Sequence, residues 1–165
     1  MKSIVLAGGC FWGVEAYFNQ LKGVLDTSVG YVDGNMRKPS YDQVCNGKAT
    51  HTEACQVFYD EKVITLEQVL DQFFRIINPF SINKQGNDYG RQYRSGIYLD
   101  DMSEAEKVET YMKSYFGANF SKVATKIHEN KDYDLAEAYH QDYLKKNPGG
   151  YCHVNLGLAT KEEVK

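Results

Sequence analysis

The stretch Ser3-Ile4-Val5-Leu6-Ala7-Gly8-Gly9-Cys10-Phe11-Trp12-Gly13-Val14-Glu15-Ala16-Tyr17-Phe18-Asn19-Gln20-Leu21 decides how this chain folds. Ser3 to Ala7 is a short apolar run ended by two glycines, the pattern of a buried strand. Beyond it Phe11, Val14, Phe18 and Leu21 recur at helical spacing, so a helix begins at about Cys10 and turns an apolar stripe to the core. A strand that hands over to a helix across Gly8-Gly9 places Cys10 at a helix N-terminus. Unpaired N–H groups and roughly half a positive charge collect there. Such a place stabilises a thiolate, so the expected Cys10 pKa lies below that of an ordinary thiol. Trp12 beside the thiol suggests an apolar wall. An inert buried cysteine with Trp12 as core packing fits the same pattern, and position alone leaves both readings open.

Working outward, Leu25 to Val32 reads as a second strand, and Asp33 to Ala49 as a long polar loop of the kind that usually carries function. His51 to Tyr59 alternates as a strand that turns His51, Glu53, Cys55 and Val57 to one face. Thr65 to Gln68 is a capping box that opens a helix to about Ile77, which Pro79 stops. Ser81 to Arg94 is polar and loop-like, and Ser95 to Leu99 reads as a strand. Ser103 to Glu106 forms a second capping box with a helix to about Phe116, and a short strand follows at Val123 to Ile127. Asp134 is expected to cap a last helix to about Lys146, broken by Asn147-Pro148-Gly149-Gly150. The order predicts an α+β fold, a mixed β-sheet with packed helices around a ferredoxin-like βαββαβ core and an irregular C-terminal tail. Residues 1–165 form a single catalytic domain in this reading. Within it, 147–165 is a flexible segment that carries Cys152 and frays beyond Leu158.

The chain has 165 residues, 42% hydrophobic and 25% charged, with thirteen tyrosines and eight phenylalanines, enough to build one well-packed core. A net charge of -3 argues against nucleic acid or an anionic membrane surface as partner, and no run is long enough to span a membrane. The apolar opening is too short for a signal peptide, so a cytoplasmic location is the expectation. Four cysteines at 10, 45, 55 and 152 suit catalytic or core thiols better than a disulfide framework in such a compartment. Cys45, His51, Cys55 and Cys152-His153 offer soft metal ligands, but without a tight Cys-x-x-Cys pair the zinc signal is weak and no metal is expected. A thioredoxin-like enzyme would need Cys-x-x-Cys, whereas residues 10–13 are Cys-Phe-Trp-Gly. A peroxidase, or a module that merely binds oxidised peptides, would also suit a cysteine with an aromatic wall.

Gly-Gly-Cys-Phe-Trp-Gly-Val-Glu at 8–15 resembles the signature of the A-type peptide methionine sulfoxide reductases. The likeness continues through Gly30-Tyr31, Tyr41 to Gly47, His51 to Ala54, Gly86 to Ser95, Ala138 to Leu144 and Gly150-Tyr151-Cys152, and spans about residues 3 to 155. It implies reduction of methionine S-sulfoxide, free and in oxidised proteins and peptides, by a cytoplasmic monomer without a cofactor. By this resemblance Cys10 attacks the sulfoxide sulfur and becomes a sulfenic acid, and a protonated Glu53 delivers a proton to the departing oxygen. Tyr41 and Tyr93 would bond that oxygen, Asp88 would hold the polar end of the substrate, and Phe11 and Trp12 would cage its methyl group. Cys152 matches the resolving cysteine, which implies a Cys10–Cys152 disulfide recycled by thioredoxin or a similar dithiol. Residues 153–159 contain no further cysteine, so Cys152 would hand on its disulfide directly. Cys55, on the Glu53 face, reads as a small core residue, with a substitute partner for Cys10 as the sharper reading. Cys45 is expected to pack at the loop base, without a catalytic role.

Overall fold

The computed structural model describes residues 1–165. Its elements in chain order are β1 Lys2–Ala7, α1 Phe11–Asn19, β2 Val24–Val32, α2 Tyr41–Cys45, β3 Thr52–Tyr59, α3 Leu66–Ile76 and the small pair β4 Lys84–Gln85 and β5 Asp88–Tyr89. There follow β6 Gly96–Leu99, α4 Ala105–Phe116, β7 Lys126–Glu129, β8 Asp134–Leu135 and α5 Tyr143–Lys146. Six strands form one sheet in the order β7-β6-β1-β3-β2-β8. Every pairing in it is antiparallel except β6 with β7, so the sheet is mixed and the fold is α+β, as expected. None of its helices is long and apolar enough to cross a membrane.

The main core lies between one sheet face and the helices. Leu6, Val57 and Ile97 from strands meet Val14, Phe18, Leu70 and Phe73 from α1 and α3. Each large side chain taken out of water there contributes about 1.5–3 kcal/mol. The stripe read from the first helix is therefore real: Phe11, Val14 and Phe18 are all buried. Strand alternation sorts β3 as expected. Cys55, Val57 and Tyr59 join this core, while Ala54 points to the opposite face with Val5, Ala7, Val32 and Tyr98. Cys55 is fully buried opposite Leu6 and Val29, the behaviour of a small hydrophobe. Cys55→Ser should leave the number of fast-reacting thiols in the folded protein unchanged. It should also lower the melting temperature by several degrees, because an unmatched buried hydroxyl costs about 1–3 kcal/mol.

Four expectations are corrected. The loop 33–49 contains α2, which has its own capping box between Ser40 and Gln43. The Ser103 capping box does not form. Asp101 caps a preceding 3-10 turn by accepting the Ser103 N–H, and α4 starts only at Ala105. No long helix runs from Asp134 to Lys146: Asp134 lies in β8, pairing with Tyr31, and its carboxylate binds Arg37 and the Lys38 N–H. Competition from side chains explains the broken helix. Gln141 donates to the carbonyls of Val29 and Ala136 and accepts from the Val29 N–H, which fixes this segment against β2 in an irregular path. Finally, the end of the chain is docked rather than frayed. The Glu163 carboxylate pairs with Arg75 and accepts from Gln72, and Val164 bridges to Leu21.

Candidate active site

Cys10 occupies the N-cap position of α1 and is almost fully buried, at 7% exposure. Gly9 precedes it at φ +87°, and a β-carbon there would stand 2.6 Å from Gln85, so both backbone shape and space require glycine. The first free amide of the helix, Phe11 N–H, donates to Glu53 Oε1 at 3.2 Å. Glu53 is 1% exposed on β3, opposite Tyr31. Burial pushes its pKa up to about 8, against the Phe11 bond and with help from the charge of Asp88. A carboxyl with this pKa is mostly protonated at neutral pH, and one of its oxygens is held by the start of the helix that Cys10 caps.

The expectation of a lowered Cys10 pKa is overturned. Burial, and then the Glu53 carboxylate, raise it well above that of an ordinary thiol, although the amides of Trp12 and Gly13 favour the thiolate. The helix end is present as the sequence implied. Its field loses to desolvation because the nucleophile is enclosed. The resting site therefore holds two neutral acids, the Cys10 thiol and the Glu53 carboxyl.

Two phenols complete this corner. Tyr41 comes from α2, and Tyr93 closes the 3-10 turn Arg91–Tyr93. Burial and then the charge of Glu53 raise the pKa of each, so both stay protonated on the Glu53 side of the site. Glu137 fixes the α2 contribution by accepting from the Tyr31 hydroxyl at 2.8 Å and from the Tyr41 N–H at 2.9 Å. Asp88 accepts the Tyr151 hydroxyl at 3.0 Å, which ties β5 to the segment before Cys152.

Trp12 is held on two sides. Its indole N–H donates to His140 Nδ1 at 3.0 Å, and its ring stacks on Tyr143 at 3.8 Å between centroids. Buried Glu15 accepts the Asp142 N–H, and so seats the start of α5 that carries Tyr143. Phe11 packs against Tyr31 and His140. His140, 1% exposed and kept neutral by burial, is the hub of this aromatic wall. Its partner Trp12 is 128 residues away, out of reach of any local reading of the sequence. Tyr143 and Tyr151 lie within stretches that carry the resemblance, which assigns neither of them a role. His140→Phe retains an aromatic ring and removes the acceptor. Trp12 is the sole tryptophan, so its fluorescence anisotropy should fall, and catalytic efficiency should drop about tenfold, in line with an unsatisfied buried donor.

Cys152 packs on the start of α1. A β-carbon on Gly13 would stand 3.1 Å from Cys152 Sγ, so the thiol rests on the first turn of α1, which starts beside Cys10. Its S–H donates to the Val154 carbonyl at 3.1 Å, and all four cysteines are free thiols. Cys45, expected at a loop base, is instead exposed at the end of α2. Cys45, His51 and Cys55 do not converge: His51 Nε2 bonds the Met36 carbonyl, and no group of three such side chains is arranged to hold a metal.

A family model described as peptide methionine sulfoxide reductase matches residues 2–165. The chain is 48% identical over 161 residues to a peptide methionine sulfoxide reductase MsrA of Ureaplasma urealyticum, covering 98% of each. Among solved structures it resembles the reduced form of Mxr1 from Saccharomyces cerevisiae at a TM-score of 0.86 and 38% identity, over 93% of this chain and 91% of that one. Mxr1 in complex with Trx2 matches at a TM-score of 0.58 and 29% identity, over 86% and 84% of the two chains.

Proposed function

The chain belongs to the peptide methionine sulfoxide reductase family, and from that premise we propose that it reduces methionine S-sulfoxide, free and in proteins, through a Cys10 sulfenic acid and a Cys10–Cys152 disulfide. The observation that carries this reading is Glu53, a buried carboxylic acid bonded to the amide next to Cys10. A sulfoxide is a weak electrophile with a basic oxygen, so it needs a proton on oxygen and a thiolate on sulfur together. Glu53 gives its proton to the oxygen and takes the thiol proton of Cys10, which makes the raised thiol pKa compatible with attack. The Trp12 and Gly13 amides stabilise charge as it develops on the Cys10 sulfur. Tyr41 and Tyr93 donate to the oxygen, Phe11 and Trp12 enclose the methyl group, and Asp88 holds the polar end of the substrate. Attack forms a bond from the Cys10 sulfur to the substrate sulfur; that bond and the substrate S–O bond then break as the oxygen passes to the Cys10 sulfur, methionine leaves with an electron pair restored to its sulfur, and Cys10 is left as a sulfenic acid.

Cys152 attacks the sulfenic acid next, and water leaves. We take the chain as a single catalytic domain in which 147–155 moves from its docked place on α1 to close the disulfide. Thioredoxin or a similar dithiol then reduces it, a proposal supported by the solved complex of the related Mxr1 with Trx2. We assign the enzyme as a cytoplasmic monomer. The test is a single turnover without reductant, using resolved epimers. About one methionine per chain from the S epimer alone, with two thiols lost, supports the reading, and no methionine from either epimer ends it.

A further inference from the structure

His153 Nδ1 is a buried nitrogen with no hydrogen-bond partner. The other ring nitrogen, Nε2, stands 3.0 Å from the Gly8 carbonyl oxygen. A carbonyl can only accept, so Nε2 carries the hydrogen and Nδ1 carries an unused lone pair. Burial holds the imidazole pKa below its ordinary value, against the Gly8 bond and the charge of Asp88, so the ring is neutral. A buried acceptor left unpaired is a cost that resting packing does not explain.

Its position suggests what uses it. The place of a β-carbon on Gly13 lies 3.1 Å from Cys152 Sγ and 3.4 Å from His153 Nδ1. A β-carbon on Gly9 would lie 3.0 Å from His153 Nε2. The imidazole thus spans the turn that carries Cys10, from the Gly8 carbonyl to the first turn of α1, with its free nitrogen on the Cys152 side. A nucleophilic thiol, a neutral base nearby and a third group orienting that base form the usual arrangement for activating a nucleophile.

Resting on the reading of Cys152 as the resolving thiol, we propose that His153 Nδ1 accepts the Cys152 proton as that sulfur attacks the Cys10 sulfenic acid. The Cys152 S–H bond breaks toward Nδ1, the S–S bond forms, and the S–O bond of Cys10 breaks. The leaving hydroxide takes the proton back from the imidazolium and departs as water. The Cys152 sulfur is oxidised, the sulfenic sulfur is reduced, and His153 ends neutral, so the step needs no outside reactant. In this step the Cys152 S–H leaves the Val154 carbonyl, its resting acceptor, for Nδ1. The charged group that acts on the ring is Asp88, bonded in turn by the Tyr151 hydroxyl, and the thiol that shares the Gly13 face with Nδ1 is Cys152.

The experiment follows one turnover of the full-length reduced protein with methionine S-sulfoxide, timing methionine release and Cys10–Cys152 disulfide formation separately from about pH 6 to 9. His153→Gln keeps an amide donor for the Gly8 carbonyl and removes the base. Methionine release should stay within about twofold of wild type, which also reports an intact fold. Disulfide formation at neutral pH should slow by about 100-fold, the lower end of the range for positioned proton transfer. The deficit should shrink at the alkaline end, where solvent removes a thiol proton unaided. A wild-type rate in His153→Gln, or a deficit constant across pH, would overturn the proposal. Methionine release by wild type without any Cys10–Cys152 link would remove the resolver reading itself, and this proposal with it.

Discussion

Glu53→Gln should lower kcat/KM for methionine S-sulfoxide by about 100- to 10,000-fold at neutral pH, the span associated with a positioned general acid. Glutamine still accepts the Phe11 N–H through its amide oxygen, so the start of α1 is kept and only the transferable proton is lost. The pH dependence should separate the two proteins further. The Glu53 pKa is raised to about 8, so wild-type activity should decline as pH rises through that value and the acid form disappears. The variant should lack that limb. Stability moves in a linked way. A carboxyl whose folded pKa exceeds its unfolded value stabilises the folded state fully only below the unfolded pKa, about 4.3, and that contribution is lost as pH rises toward the folded one. Glu53→Gln should therefore unfold at a higher denaturant concentration than wild type at about pH 8, with the gap closing toward about pH 4. Equal midpoints at both pH values would mean that Glu53 is ionised in the folded protein.

Cys152→Ser should abolish steady-state turnover with a thioredoxin system, to about one hundredth of wild type or less, and spare the first turnover. Serine is close in size to cysteine and keeps a donor for the Val154 carbonyl that Cys152 now uses. The packing of this segment on Gly13 is therefore retained, while the sulfur that forms the disulfide is gone. The measurement is methionine per chain with and without the recycling system. One equivalent in both cases is expected. Sustained turnover with recycling would point to another thiol. Cys55 is a poor candidate for it, buried in the main core with a pKa raised well above that of a free thiol, chiefly by desolvation.

Where periodicity is clean, the chain can be read directly. The handover from β1 to α1, the Thr65 cap of α3 and the alternation of β3 need only local rules, because burial of one face dictates them. Residues 134–146 defeat those rules. There Glu137, His140 and Gln141 turn their side chains to β2, α2 and Trp12, contacts made across about one hundred residues that no window reveals. Cys10 and Glu53 are legible as candidates, and the raised Glu53 pKa accords with the expected acid. The sign of the Cys10 shift is not legible, because a helix terminus is a local feature while desolvation depends on everything packed around it. His153 reads in the sequence only as a weak candidate metal ligand, for a related reason. An imidazole beside Cys152 is unremarkable there, and an unpaired nitrogen is visible only once all its neighbours are placed.

The most direct test of the central claim locates the oxygen after it leaves the substrate. Cys152→Ser protein, fully reduced, is given one equivalent of methionine S-sulfoxide in the presence of dimedone, digested and mapped by mass spectrometry. The account predicts one sulfenic-acid adduct, on Cys10, in proportion to the methionine released. Methionine release with Cys10 unmodified, or an adduct on Cys45 or Cys55 instead, would contradict it.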